Sequence, residues 1–248
     1  MALEVERLGE GPPVLFIHGS VVGAAVTWRK QRELADRWGL ILPNRPGFGS
    51  SPPLDRNDFE VEAPMFAELL GEGAHLVGHS YGGVIALLPS GLRPEAVHSL
   101  TVSEPGVLPS AAGVPAVDEM IANGKLLYSD PGAIPTDTFL QLFRSGAGSS
   151  HETPEELPDY LSRGAELAKR ERPPWEAEIP LDRLAATPFP KLVISADHSP
   201  AFEAVCDHLA DALGAERAVI PGRGHTIPSN GAPYNERLEA FLAAAEAT

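Results

Sequence analysis

The sequence predicts an α/β fold: a mostly parallel, doubly wound β-sheet flanked by helices. Short apolar runs such as residues 14–17 alternate along the chain with amphipathic stretches such as residues 59–70. This alternation is typical of strands buried on both faces and joined by right-handed helical crossovers. At residues 75–88, an apolar run, a glycine-rich turn and a helix-like run follow one another directly.

The elements can be assigned in chain order. The pattern predicts an exposed edge strand at residues 3–8, then buried strands at residues 14–17, 40–42, 75–77, 97–103, 191–195 and 217–220. The predicted helices span residues 28–38, 59–70, 84–88, 201–213 and 234–245. The 248 residues suffice for one such domain.

Residues 106–185 break this alternation. They are rich in proline and glycine and contain short helical patterns at residues 117–127 and 157–169. Their aromatic side chains, Tyr128, Phe139, Phe143 and Trp175, favour a packed unit over a mobile loop. We therefore expect a core formed by residues 1–105 and 186–248, with a small, mainly helical insertion between them.

Composition excludes several classes of function. A net charge of −15 argues against nucleic-acid partners and against binding to anionic membranes. Cys206 is the only cysteine, so an intrachain disulfide and a zinc site formed by a cluster of cysteines are excluded; its helical apolar neighbours predict a core position. The first residues carry no basic and apolar leader pattern, and no apolar run approaches 18 residues. We expect a cytoplasmic protein.

Ser80 is the predicted nucleophile. It lies at the apex of Gly78-His79-Ser80-Tyr81-Gly82, between a strand and a helix. A serine on such a sharp turn brings backbone segments together, so a Cβ at either flanking glycine would collide. The turn exposes the hydroxyl near a helix N-terminus, where backbone N–H groups can stabilise an oxyanion.

A serine hydroxyl needs a base, and His225 is the predicted one. It follows an apolar strand, in the glycine-rich loop Pro221-Gly222-Arg223-Gly224-His225. The other histidines weighed for this role have different expected positions: structural hydrogen bonds for His18, a side chain pointing away along the turn for His79, and surface or strand-end positions for His75, His98, His151 and His208.

Four segments together resemble the α/β-hydrolase superfamily. Gly78-His79-Ser80-Tyr81-Gly82 resembles its nucleophile elbow, residues 14–20 its oxyanion strand and loop, residues 44–51 its G-x-G-x-S loop, and residues 221–225 its histidine loop. The resemblance implies a Ser-His-acid triad, an oxyanion hole formed by the N–H groups of Ser20 and Tyr81, and a cap over the serine at residues 106–185. It also implies substrate-pocket positions for His18 and Trp175.

The third triad member has two candidates. The family's usual acid follows a later strand; in Ser195-Ala196-Asp197-His198 its place falls on His198, and Asp197 lies one residue early. Glu104 ends the strand at residues 97–103, one strand spacing of about 4.8 Å further from the histidine, and Pro105 favours an extended Glu104. Haloalkane dehalogenases, in the same superfamily, place their acid after this strand. We favour Glu104, with Asp197 as the alternative.

The predicted function is a serine hydrolase that cleaves an ester, lactone or thioester of a small, fairly apolar substrate. Walker, H-E-x-x-H and EF-hand patterns are missing from the sequence, so we expect neither a metal nor an organic cofactor. The same triad could serve a C–C bond hydrolase, a lyase or a cofactor-free peroxidase. A ligand-binding or regulatory protein on the same scaffold is the alternative from another class.

Overall fold

The computed structural model describes residues 2–149, 153–154 and 156–247, and a seven-stranded sheet runs through its centre. The strands are β1 (Val5–Leu8), β2 (Pro13–Ile17), β3 (Gly39–Pro43), β4 (Ala74–His79), β5 (Val97–Ser103), β6 (Lys191–Ser195) and β7 (Glu216–Val219). Their spatial order is β1-β3-β2-β4-β5-β6-β7. Edge strand β1 is antiparallel to β3, and the other strand pairs of the sheet are parallel.

The α-helices of the described residues follow the strands. They are α1 (Ala24–Thr27), α2 (Phe59–Leu69), α3 (Tyr81–Leu92), α4 (Pro115–Leu127), α5 (Thr136–Gly146), α6 (Asp159–Ala168), α7 (Leu181–Ala185), α8 (Pro200–Leu213) and α9 (Ala232–Glu246). The sheet is mostly parallel and has helices beside it, so the predicted fold class is confirmed.

Both faces of the sheet are covered. Leu15 and Ile17 of β2 belong to a hydrophobic cluster that includes side chains of α2, α3 and α8. Val14 and Phe16 belong to a second cluster, which includes side chains of α9. Because alternate side chains of a strand point to opposite faces, the two clusters lie on opposite sides and the sheet is doubly wound. Cys206 is buried in the first cluster, as predicted.

The turn between β4 and α3 has the sharp geometry that its glycines predict. Ser80 has φ 55° and ψ −122°. A Cβ on Gly82 would lie 2.2 Å from the carbonyl oxygen of Ile17, and one on Gly78 would lie 2.5 Å from that of Gly82. Backbone atoms cannot yield at such distances, so both positions require glycine.

The segment between β2 and β3 differs from the prediction. The α-helix predicted over residues 28–38 is wrong: the chain forms the short α1 before Trp28 and a 3₁₀ helix over Gln31–Asp36. Trp28 is fully buried against Phe16, and buried Gln31 donates from Nε2 to Asn235 Oδ1 and to the Pro228 carbonyl. These contacts with distant residues override the local amphipathic pattern.

Residues 106–185, called the insertion below, connect β5 to β6 and contain α4–α7. Val117 of α4 packs in the same cluster as residues of α3. Phe139, Leu140 and Leu161 form a third cluster with Val21 of the loop after β2. The described part of the insertion therefore packs against the sheet domain at two places. No helix of the described residues is long and apolar enough to cross a bilayer.

Candidate active site

Three side chains from distant parts of the chain meet at the carboxyl end of the sheet. Ser80 Oγ lies 2.8 Å from His225 Nε2, and His225 Nδ1 lies 2.7 Å from Glu104 Oε2. A carboxylate only accepts hydrogen bonds, so Nδ1 carries the donated proton and the lone pair of Nε2 faces the serine hydroxyl. The order of the three groups is that of a nucleophile, a base and an orienting acid.

Glu104 is held at the end of β5 in an unusual backbone conformation. Its φ is 40°, so the extended conformation predicted from Pro105 is wrong. The Glu104 N–H donates to the Ile194 carbonyl, and Oε1 accepts from the Ala196 N–H at 2.9 Å. These two bonds to and beyond β6 fix the backbone and the carboxylate, and they hold a strained residue in place.

Glu104 is ionised although it is fully buried. Burial alone raises the pKa of this carboxyl, but hydrogen bonds from His198 and His225 outweigh burial and bring the pKa to about 2. A carboxylate that stays charged beside His225 can stabilise the imidazolium that forms when the histidine takes a proton.

Asp197, the alternative acid, lies elsewhere. Its side chain is exposed, its φ is 52°, and its N–H donates to Glu203 Oε1 at 2.8 Å. The structure brings Glu104, and not Asp197, to His225. The side chain that does come from this turn is His198, whose Nε2 donates to Glu104 Oε2 at 2.9 Å. Its Nδ1 is buried without a hydrogen-bond partner among the described residues.

The two backbone donors expected from the sequence lie beside the serine. A Cβ on Gly19 would lie 2.9 Å from Ser80 Cβ, so the loop after β2 passes directly over the nucleophile. Tyr81 begins α3 immediately after it. None of the hydrogen bonds found among the described residues uses the N–H of Ser20 or of Tyr81. Both groups are therefore free to bind an oxyanion.

A buried ionic cluster supports this loop. Arg45 donates from Nε and Nη2 to both carboxylate oxygens of Glu62, at 2.8 and 3.0 Å, and from Nη1 to the Gly19 carbonyl. Its guanidinium lies 4.3 Å from the centre of the Tyr81 ring. Glu171 of the insertion accepts from Ser20 Oγ and lies 2.8 Å from Arg45 Nη1. All three charged side chains are buried, and burial raises the pKa of Glu171.

Two histidines near the site have structural contacts. His18 is fully buried; Nε2 accepts from the Arg45 N–H and Nδ1 bonds to the Gly19 carbonyl. Burial lowers the pKa of His18 to about 3, so it stays neutral. The prediction that His79 points away from the site is wrong, because its Nε2 donates to the His225 carbonyl oxygen at 2.7 Å. Burial likewise lowers its pKa to about 3.

Three other histidines lie away from the serine. His75 is buried and is the second residue of β4, and its Nδ1 bonds to Ser99 Oγ at 2.8 Å. Of the predicted surface or strand-end position, the strand end is therefore correct and the surface is wrong. His98 and His208 are exposed, as predicted. His151 lies outside the described residues.

A cavity of about 550 Å³ opens between the insertion and the serine. Ser80, His225, Ser20 and Tyr81 line its floor, and Trp175, an expected pocket residue, lines its wall. His18, the other expected pocket residue, lies beneath the loop and does not line the cavity, because its ring is used to bind that loop.

Two groups of described residues have three possible metal ligands within 4.8 Å of one another. They are Glu104, His198 and His225, and His75, His98 and Glu246. In the first group both histidines already donate to Glu104 Oε2. Those protons would have to leave before a cation could bind.

Three charged side chains of the site were not predicted from the sequence. The burial of Glu62 could have been predicted, because its spacing from Phe59 and Phe66 places it on the apolar face of α2. A charged residue on that face needs a partner. Glu171 lies in the charged run 169–172, which resembles solvent-exposed sequence. Arg45 is in the recognised loop at 44–51, but nothing in the sequence pairs it with Glu62 or Glu171.

Comparison with known proteins agrees with this architecture. A family model described as the alpha/beta hydrolase family matches residues 14–244, and the chain belongs to that family.

Several curated relatives carry the name pimeloyl-[acyl-carrier protein] methyl ester esterase, among them proteins of two Aeromonas species. The protein of Aeromonas salmonicida (strain A449) is 30% identical over 192 residues, which is 75% of this chain and 69% of the relative. That of Aeromonas hydrophila subsp. hydrophila is 31% identical over 194 residues, with the same coverage. Among solved structures, Est816, titled as an N-acyl homoserine lactone degrading enzyme, superposes with a TM-score of 0.73 at 22% identity over 96% of each chain. At that identity the likeness concerns the fold.

Proposed function

We propose that this protein is a serine hydrolase that cleaves carboxylic esters or thioesters, lactones included, through an acyl-enzyme. The observation that carries the proposal is the continuous hydrogen-bonded series from Ser80 through His225 to the buried, ionised Glu104, at the floor of a cavity. The names of the two Aeromonas relatives, both methyl ester esterases, support the same reaction class.

In the proposed reaction each residue has a defined step. Ser80 Oγ attacks the carbonyl carbon while His225 Nε2 takes the hydroxyl proton, and Glu104 stabilises the resulting imidazolium. The N–H groups of Ser20 and Tyr81 bind the oxyanion. When the carbon–oxygen or carbon–sulfur bond breaks, the proton on Nε2 passes to the leaving alcohol or thiol. Water then attacks the acyl-enzyme with His225 again as base, which releases the acid and restores Ser80.

The insertion would act as the cap of this site. Trp175, which lies between α6 and α7, lines the cavity above Ser80 together with side chains of α4 and α5, and Glu171 binds Ser20. A ligand enclosed there would be shielded from water, which strengthens the electrostatic interactions at the carbonyl. The domain division, with residues 106–185 as a cap on a core of 1–105 and 186–248, is part of this proposal.

A serine-directed fluorophosphonate tests the assignment. We expect it to label Ser80 and no other serine, and we expect multiple turnovers of p-nitrophenyl acetate. Ser80→Ala should abolish both with an unchanged melting temperature, because the turn tolerates a smaller side chain. Labelling without ester turnover would instead favour a different reaction on the same triad. If the protein is not labelled and does not turn over the ester, the scaffold only binds a ligand.

A further inference from the structure

Two cavities meet at Ser80. The larger one, of about 550 Å³, borders both proposed oxyanion donors, Ser20 and Tyr81. A smaller one, of about 380 Å³, shares Ser20, Ser80 and His225 but not Tyr81. An ester whose carbonyl lies at Ser80 would therefore have separate spaces for its acyl part and its alcohol part.

The position of the histidine loop distinguishes the two spaces. Thr226 and Pro228, which follow the base in the chain, border the small cavity and not the large one. The leaving group must take its proton from His225, so the small cavity suits the alcohol or thiol. The acyl group, which stays on Ser80, then occupies the large cavity.

The walls of the large cavity are mostly apolar. Its side chains include Leu108, Met120, Ile134, Phe143 and Trp175. Tyr128 also borders it, but its hydroxyl already donates to the Ala168 carbonyl. Such a wall rewards methylene groups and gives few partners to a polar ligand.

The outer rim of the same cavity has exposed leucines. Leu126 of α4 is 72% exposed and Leu142 of α5 is 50% exposed, and both side chains line the large cavity. Exposed apolar side chains beside an apolar cavity are typical of a surface that a bound ligand covers. A chain that starts at Ser80 and runs between α4 and α5 would end against these two leucines.

We infer, on the basis of the proposed function, that the substrate is an ester or thioester of a medium-length, apolar acyl group. Its chain fills the large cavity and reaches Leu126 and Leu142. At roughly 30 Å³ for a group the size of a water molecule, a cavity of about 550 Å³ has room for at most about 18 such groups. Each buried methylene then raises kcat/KM by up to about fourfold.

The test compares p-nitrophenyl esters from acetate to octanoate, below their solubility limits. We expect kcat/KM to rise by about two to three orders of magnitude over the series. The double variant Leu126→Ser/Leu142→Ser should lose about tenfold on octanoate and change by less than about twofold on acetate. The matched control is Leu92→Ser/Val219→Ser, which changes two side chains that are 54% and 48% exposed and line neither cavity; it should match wild type on both esters.

Each other outcome has a defined meaning. A flat series, or an equal loss on acetate and octanoate in the rim variant, would overturn the acyl-chain inference while ester hydrolysis stands. If lengthening the alcohol, from ethyl to hexyl acetate, raises kcat/KM as lengthening the acyl group should, the assignment of the two cavities is wrong. If no ester turns over, the proposed function itself fails.

Discussion

Glu104, the candidate triad acid, lies at the end of β5 and not at the family's usual position after β6. Its Oε2 accepts from two imidazoles, at 2.7 Å from His225 and 2.9 Å from His198. His198 occupies the turn after β6, where the family's acid is expected, so a donor replaces the usual acceptor there. An acid at the end of β5 and a donor at the end of β6 form a complementary pair, and Asp197 in the same turn faces solvent.

Replacing each acid by its amide separates the two candidates. Glu104→Gln should lower kcat on the order of 10⁴-fold, or about 5 kcal/mol of barrier, because the amide cannot stabilise the imidazolium. Asp197→Asn should change kcat by less than about twofold, since that side chain does not contact His225. Steady-state kinetics with p-nitrophenyl acetate measures both. If Asp197→Asn is the impaired variant, Glu104 is not the acid.

We also expect Glu104→Gln to change the pH dependence of stability. The pKa of Glu104 falls from an ordinary value of 4.5 to about 2 in the folded protein. The ionised group therefore stabilises the fold fully above about pH 4.5, and this contribution is lost as the pH falls from 4.5 to about 2. The loss is on the order of 3 kcal/mol. Urea unfolding at pH 5, 4 and 3 should show a shallower acid decline for Glu104→Gln than for wild type.

At the scale of elements, the sequence identifies what depends on local pattern. β5 and β6 lie where apolar runs place them, and the turn at Ser80 follows from its glycines, because strand burial and turn sterics are written in neighbouring residues. The 3₁₀ helix at Gln31–Asp36 is not predictable in this way, since Gln31 is fixed by Asn235, 204 positions away. The contact between Glu171 and Ser20 is not predictable either, because the two residues are far apart in the sequence.

That contact predicts a role for the insertion in the chemistry. Glu171→Ala should lower kcat by roughly ten- to a hundredfold with a smaller change in KM, because the Ser20 loop loses its anchor while its N–H remains. Loss of a whole oxyanion donor costs about 10²–10³, which sets the upper limit. The variant should fold, because Arg45 keeps its two hydrogen bonds to Glu62. Glu171→Gln should recover most of kcat, since its amide oxygen can still accept from Ser20 Oγ.

Arg172 provides the matched control next in the chain. It also joins the insertion to the core, through ion pairs with Asp58 and Glu60, but its side chain does not touch the Ser20 loop. Partly exposed pairs of this kind contribute about 0–1 kcal/mol, so Arg172→Ala should lower the melting temperature slightly and leave kcat unchanged. Equal kcat values for Glu171→Ala and Arg172→Ala would contradict a specific effect on the oxyanion loop.

At the scale of the whole molecule, the insertion and the sheet domain share their hydrophobic contacts. Val117 of α4 packs with the cluster under α3, and Val21 of the loop after β2 packs with Phe139 and Leu140 of α5. The order and type of the sheet elements follow from periodicity, but these contacts do not, because the insertion lacks the repeating pattern that relates a strand to its neighbour. The structure shows its position over the serine. From the sequence, that position could be expected only through the family resemblance.

Shared packing predicts that the insertion and the core unfold together. Trp175 lies in the insertion, in edge contact with Tyr128, whereas Trp28 and Trp38 are buried in the second core cluster. The difference in fluorescence between wild type and Trp175→Phe therefore reports the insertion, and far-UV circular dichroism reports the whole chain. In urea the two signals and the loss of ester turnover should have the same midpoint, as expected for one cooperative unit. A Trp175 transition at clearly lower urea, with the circular dichroism of the core retained, would show that the insertion opens by itself.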